Sequence, residues 1–332
     1  MTLLSVVAPM FEEEDTAAAF CARVREALGS LPWELVVVDD GSKDRTGEIL
    51  AEFGASDPRI KVVTLARNFG HQPALSAGLE HAEGDVVVMI DSDLQDPPEL
   101  IPEMVECWRQ GADVVYAVRR RRAGETRFKL VTAHIFYRLL RRLTDIDLPA
   151  DAGDFRLMDR RPLEALLAMR ERARFLRGMT VWVGYTQTAI EYERDARHAG
   201  ETKYTLKRML RFSLDAIVSF SSTPLQLATV FGFIASALAF VLVPFVIAGR
   251  ILGLFVAGIP TTLVVILMLG GVQLICVGII GEYLGRIYDE VKRRPLYVVR
   301  DRVNFTRDLN RPVGDERRGP APQAPSLPGR SG

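Results

Sequence analysis

The sequence predicts an α/β protein: a mostly parallel sheet with helices on both faces, followed by an amphipathic interface helix and two transmembrane helices. Three observations carry this. Short runs rich in Val and Ile, without polar alternation, recur through residues 1–200 between segments of helix length, as strands covered on both faces do. Two of these runs, "VVVDDGSKD" and "VVVMIDSDLQD", pass straight into acids. In layered α/β sheets that carboxyl edge is where ligands gather. Charge is then absent from residues 225–249 and again from 251–281, where about 20 apolar residues suffice to cross a bilayer.

The elements follow in chain order. "LLSVVAP", "WELVVVDD", "IKVVTLA", "DVVVMID" and "ADVVYAV" are the expected strands of a layered domain over residues 1–200. Residues 201–222 include "KYTLKRMLRFSLDAIVSF", with Leu206, Met209, Leu210, Leu214 and Ile217 at helical spacing and Lys207, Arg208 and Arg211 on other faces. This pattern suits a helix lying on a membrane surface, and equally an ordinary surface helix. Residues 223–290 hold the two spans, the second beginning after a break at "AGIP". Basic residues flank the outer ends of the pair (Lys207, Arg208 and Arg211, then Arg286, Lys292, Arg293 and Arg294), which places both termini and the layered domain in the cytoplasm. Residues 291–332 are expected to form a cytoplasmic tail, disordered from about 310, where Pro, Gly and Ser dominate.

Bulk properties narrow the partners. The chain has 332 residues with 42 basic and 42 acidic side chains, so no net charge draws it to nucleic acid. Arginine is unevenly placed, at 119–122, 138–142 and around 170–177, as expected for local anion handling or for solvated faces. Three separated cysteines, Cys21, Cys107 and Cys276, support neither a disulfide framework nor a zinc site. The opening "MTLLSVVAP" enters a strand without the basic and apolar regions of a cleavable signal.

The stretch "VVVMIDSDLQDPP", residues 86–98, holds Asp91, Asp93 and Asp96 without a lysine or arginine to balance them. Asp91 and Asp93, two apart at a strand end, can turn both carboxylates toward one point, with Gln95 two further on. Hard oxygen ligands of this kind suit Mg²⁺ or Mn²⁺, which complete their shells with water and phosphate oxygens. Acids in loops also cap helices and turns without any ion.

Taken in order, "VAPMFEEED", "VVVDDGSKDRT", "LARNFGHQPALSAGL", "GDVVVMIDSDLQDPPE" and "DAGDFRLMDR" resemble the family 2 glycosyltransferases of GT-A fold. With "RFLRGM", "WVGY", "RHAGETKY" and the paired spans, the resemblance narrows to the polyprenyl-phosphate glycosyltransferases, which include dolichol-phosphate mannose synthases and bactoprenol glucosyltransferases. It implies that Pro9 and Glu13 contact the nucleotide, with Phe11 and Glu12 replacing the family's Tyr and Asn. Phe11 can stack on a base but brings no hydroxyl. It further implies Asp40 on the base, unless Asp39 or Ser42 caps the next helix, with Asp91 and Ser92 around the nucleotide sugar and Arg67 through Gly70 and Gln72 beside its pocket, unless these merely shape a turn. Asp91, Asp93 and Gln95 would hold the metal. Asp154 would orient the acceptor or act as base, or organise neighbouring arginines. Arg119, Lys129 and Arg197 would bind the lipid phosphate.

The implied activity is inverting transfer of a hexose from a nucleotide sugar, UDP-glucose first, to polyprenyl phosphate. A homo-oligomer, a flippase and a downstream glycosyltransferase are the implied partners. GDP-mannose as donor, another acceptor such as diacylglycerol, or a non-catalytic membrane scaffold are the competing expectations.

Overall fold

The computed structural model describes residues 2–119, 152–192, 223–252 and 259–305. Lys129, Arg197, the basic stretch 201–222 and the tail beyond 310 lie outside the described residues. The five expected strands are present as β1 (Leu4–Met10), β2 (Trp33–Asp39), β3 (Ile60–Leu65), β4 (Val86–Met89) and β5 (Val114–Arg119). Three more, β6 (Ala152–Asp159), β7 (Gln187–Tyr192) and β8 (Val299–Val303), complete one sheet of order β7-β5-β6-β4-β1-β2-β3-β8. The β1–β2, β1–β4, β2–β3 and β5–β7 pairs are parallel. The other pairs, β3–β8, β4–β6 and β5–β6, are antiparallel, so the sheet is mixed.

Every residue of β1 and β2 is buried, which is why no polar alternation marks them. Successive strand residues point to opposite faces. Val6, Ala8, Leu35, Val37 and Val88 pack under α1 (Ala17–Leu28), α2 (Thr46–Ser56) and α4 (Ile101–Arg109). Val7, Val36, Val38, Val87 and Met89 pack under α3 (His71–His81), α5 (Arg160–Ala168) and α6 (Leu176–Trp182). Helices thus cover both faces, as the apolar runs require.

Two long apolar helices follow, α7 (Thr223–Ile251) and α8 (Ile259–Val291). Their large side chains face outward, with Phe240 83% and Leu274 73% exposed, the reverse of the sheet. Among the described residues one helical stretch, Met268–Val291, is long and apolar enough to cross a membrane, and Thr223–Leu238 is a shorter apolar run.

The first residues of the expected tail, after α8, return to the sheet. β8 pairs with β3, Tyr297 Oη donates to Glu80 at 2.5 Å, and Arg302 Nε donates to His81 Nε2 at 3.0 Å. Asn304 Nδ2 donates to the carbonyls of Gly54 and Ile60 at 2.6 and 2.8 Å. The sequence "VRDRV" hides this strand because it lies at an edge, where charged side chains are tolerated and block further pairing.

Candidate active site

The carboxyl ends of β1, β2 and β4 lie side by side, and three loops leave from them. The loop after β1 is tied to the loop after β2 by successive backbone groups: the N–H of Glu12 donates to Ser42 Oγ, that of Glu13 to Thr46 Oγ1, and that of Glu14 to Asp44 Oδ2, at 2.9–3.2 Å. Gly41 sits where a Cβ would come within 2.5 Å of the Arg67 backbone, and its φ of 70° suits glycine. Asp40 clamps the loop after β3: its two oxygens accept the N–H groups of Phe69 and Gly70 at 2.7 and 2.8 Å. Burial raises its pKa, and those two N–H groups oppose the rise.

Between the loops opens a cavity of about 320 Å³, within the range of small-ligand sites. Pro9, Met10, Phe11 and Glu13 line one side, Asp40, Asn68, Gly70 and His71 the next, and Asp91, Ser92 and Asp93 the floor. Phe11 is exposed at the rim. Ser92 Oγ donates to the Pro9 carbonyl at 3.0 Å and so staples the β4 end to β1.

The acidic run divides at Leu94, whose φ of 59° is left-handed. That conformation costs a residue with a Cβ about 1 kcal/mol, and it ends the strand-like alternation that would have carried Gln95 to the side of Asp91 and Asp93. Gln95 is buried instead, does not line the cavity, and its N–H donates to Asp93 Oδ1 at 3.2 Å. Asp96 is fully buried and turned toward β5 and β7, where Tyr192 Oη donates to it and Arg119 lies at 3.9 Å. Arg119 Nε also donates to Tyr192 Oη at 3.2 Å. The cation opposite the third acid is therefore an arginine of the chain itself.

Asp154 joins the floor through sheet register. β4 and β6 pair Met89 with Arg156, and continuing that antiparallel register by two residues sets Asp154 across from Asp91. His71, the first residue of α3, stands between them, its Nε2 at 3.5 Å from each carboxylate. Arg177 of α6 approaches Asp154 Oδ1 at 3.4 Å, and Gln72 Nε2 approaches Oδ2 at 3.4 Å. Gln72 Oε1 accepts the Leu176 N–H at 3.0 Å and so ties α6 to α3.

The two facing carboxylates are pushed in opposite directions. Burial pushes Asp91 up to about 6; His71 opposes this, while Asp154, Asp96 and Asp93 add to it. Burial would raise Asp154 as well, but the His71 hydrogen bond and the charges of Arg177 and Arg156 hold it far below the usual carboxylate range. Burial acts against protonation of His71, yet the bond to Asp154 and the charge of Asp91 raise its pKa overall.

Of the residues singled out from sequence, Pro9, Phe11, Glu13, Asp40, Asp91, Ser92 and Asp93 meet at the cavity. Asp154 and Gln72 form the adjoining wall. Arg67 is not among the lining residues: its guanidinium stacks 4.2 Å over Phe69 and donates to the Asn68 carbonyl. Asn68 and Gly70, expected beside the nucleotide pocket, line the cavity, whereas His71, Arg177 and Arg156 are site residues that sequence reasoning missed. The signal for His71 was its place directly after "NFG" at a helix start, and that for Arg177 was the arginine cluster of residues 170–177.

The profile of the family described as Glycosyl transferase family 2 matches residues 5–167. The chain is 49% identical over 301 residues to the Bacillus subtilis protein described as uncharacterized glycosyltransferase YkcC, covering 89% of this chain and 92% of that one. The chain belongs to glycosyl transferase family 2. A prophage bactoprenol glucosyl transferase homolog of Escherichia coli is 42% identical over 300 residues, 90% of this chain and 98% of the relative. Among solved structures, glucosyl-3-phosphoglycerate synthase from Mycobacterium tuberculosis in complex with Mn²⁺, UDP and phosphoglyceric acid matches with a TM-score of 0.49 and 22% identity. That match covers 65% of this chain and 76% of the other.

For a family 2 glycosyltransferase the acid edge has a chemical test. Among the described residues no group of three or more His, Cys, Asp and Glu side chains forms a metal cage. Mg²⁺ does not need one, since one or two carboxylates with phosphate oxygens and water fill its shell. Asp91 and Asp93 on the cavity floor, the former raised in pKa by burial and like charge, fit such an ion.

Proposed function

We propose that this family 2 glycosyltransferase moves glucose from UDP-glucose to undecaprenyl or a related polyprenyl phosphate at the cytoplasmic face of the plasma membrane. One observation carries the reading: the acid-floored cavity and the membrane helix belong to one sheet, because β8, which follows α8, pairs with β3. The similarity to bactoprenol glucosyl transferases, 42% identity over 90% of this chain, supports the same donor and acceptor.

Strand β8 also bears on topology. A sheet lies on one side of a membrane, so the chain between β7 and β8 must cross an even number of times. The apolar part of α8, uncharged from residue 259 to 281, supplies one crossing and α7 is the natural second. Arg286, Lys292, Arg293 and Arg294 at the end of α8 favour the cytoplasmic side.

In the reaction the nucleotide enters over Phe11, and its diphosphate lies toward Asp91 and Asp93, which would hold Mg²⁺ or Mn²⁺. Bound there, the ion would supply Lewis-acid neutralisation of the leaving diphosphate. The acceptor phosphate oxygen attacks the anomeric carbon from the opposite face, the bond to the diphosphate breaks, and the centre inverts. No proton need be removed, because a phosphate monoester is already ionised near neutral pH. Asp154 is therefore free of the general-base role, and its low pKa makes it a poor base in any case. It holds His71 and Arg177 in place. Arg177 and Arg119, whose planar forks match phosphate, provide the acceptor's cations, together with Lys129 and Arg197.

The product then requires a flippase and a second transferase, and the exposed apolar helices suit a homo-oligomer. Purified full-length protein with Mg²⁺ and undecaprenyl phosphate, offered labelled UDP-glucose, UDP-galactose and GDP-mannose, is expected to label lipid from UDP-glucose alone. Product from GDP-mannose alone would make it a mannose synthase. Tight partner binding without turnover on any donor would make it a scaffold.

A further inference from the structure

The arginine cluster of residues 170–177 is not one anion site. It splits three ways, and one branch leaves the catalytic domain. Arg177 points to Asp154 and Arg174 Nη1 donates to Ser76 of α3 at 3.2 Å. Arg172 turns the other way, to the far end of the membrane helix. Its backbone N–H donates to Glu290 Oε2 at 3.1 Å, and its guanidinium Nη1 donates to the Arg294 carbonyl at 2.7 Å.

The helix that carries Glu290 is continuous with the apolar span. Beyond Ile280 it runs on as a charged rod, stiffened by the Arg286–Glu282 pair at 3.2 Å and followed by the Lys292–Asp289 pair at 3.4 Å. Ten residues separate Ile280 from Glu290, a rise of about 15 Å. From Arg172 the chain needs only four residues to reach Leu176, whose N–H is held by Gln72, and then Arg177 beside Asp154. A helix rooted in lipid thus grips the loop that leads into the acceptor side of the site.

We propose that Arg172 and Glu290 are positioning residues for the transfer: their junction sets the height of the Arg177–Asp154 wall above the bilayer, where an embedded lipid phosphate must meet it. The proposal rests on the polyprenyl-phosphate reading above. Neither residue touches the cavity, so neither acts on the donor. A wall displaced by an ångström loses much of its rate advantage, but only toward an acceptor whose own height is fixed. An acceptor free in solution can follow the wall.

The test uses full-length protein in nanodiscs of phosphatidylethanolamine and phosphatidylglycerol. Undecaprenyl phosphate in the disc is compared with a short-chain, water-soluble polyprenyl phosphate. Arg172→Ala and Glu290→Ala are each expected to raise KM for the embedded acceptor about tenfold. KM for UDP-glucose and for the soluble acceptor should stay at the wild-type value, and Arg172→Lys should recover part of the loss, since its ammonium can still donate to the Arg294 carbonyl. Thermal midpoints of the variants separate misfolding from misplacement, and because Glu290 is exposed, Glu290→Ala keeps the test open should Arg172→Ala fail to fold. Equal losses on both acceptors, or no change on either, would overturn the proposal while leaving the lipid-phosphate reading intact. Wild-type protein that glycosylates neither acceptor would remove that reading and the proposal with it.

Discussion

Asp91 and Asp154 face one another across the end of β4 and β6 and share His71 at equal distance, yet their environments push them in opposite directions. Asp91 stands with Asp93, and among the described residues its close cationic partner is His71, with Arg119 further off; Asp154 has Arg177 and, behind it, Arg156. The difference assigns the two walls of the cavity. A carboxylate that burial and like charge have raised to about 6 fits the external cation proposed for that wall. A carboxylate already paired with guanidinium groups acts as a brace for them, and those are the cations proposed for the acceptor phosphate.

The largest effect should follow from removing a ligand on the open wall. Asp93→Ala is expected to lower turnover by about 10³-fold or more, measured as label transferred to lipid, since a bound ion stabilises the transition state by several kcal/mol. Retained activity would break the assignment. Next comes the braced wall: Asp154→Asn leaves Arg177 and Arg156 without their counter-charge and should destabilise the fold by about 3 kcal/mol in thermal or urea unfolding. Arg177→Ala is expected to raise KM for the acceptor about tenfold with KM for UDP-glucose unchanged.

The sharpest contrast is one of sign. Asp91→Asn, assayed without metal or nucleotide, should raise stability by about 1 kcal/mol even as it abolishes transfer, because it removes a charge that burial disfavours. A destabilised Asp91→Asn would mean the two walls are alike after all.

The smallest effect lies away from the cavity and serves as a control. His81 donates from Nδ1 to the Ala77 carbonyl at 2.7 Å and accepts from Arg302 of β8, so it is neutral in the fold. Burial lowers its pKa; the Ala77 carbonyl opposes this, Arg302 adds to it, and Glu80 opposes it. Unfolded, it titrates near about 6.5. Stability from this residue is therefore constant above that pH and falls below it, as the unfolded chain takes up the proton the fold refuses. Between about pH 7.5 and 5.5 the loss should be at most about 1 kcal/mol and absent in His81→Gln, read from thermal midpoints.

Burial on both faces explains why β1 to β5 were legible in sequence to within a residue or two: an unbroken apolar run has few other places to go. α8 begins at Ile259, within the "AGIP" where the second span was expected to start. β6 was not, because "AGDFRLMD" carries the charges that serve the site, and β8 was not, because its charged side chains guard an edge. In the site, Asp91 and Asp93 could be found from their position at a strand end. Gln95 could not be placed correctly, since the left-handed turn at Leu94 reverses the direction that simple alternation assumes.

By itself the sequence determined a layered sheet, the acids at its edge and a membrane-seeking segment, because these depend on local apolar periodicity and on charge over short spans. Only tertiary structure decided which acid has its own cation. Arg119, Arg156 and Arg177 reach Asp96 and Asp154 across strand pairings and helix packing distant in sequence. The return of β8 to β3, and with it the grip of α8 on Arg172, was decided in the same way, since edge pairing depends on which backbone groups remain open once the rest of the sheet has formed.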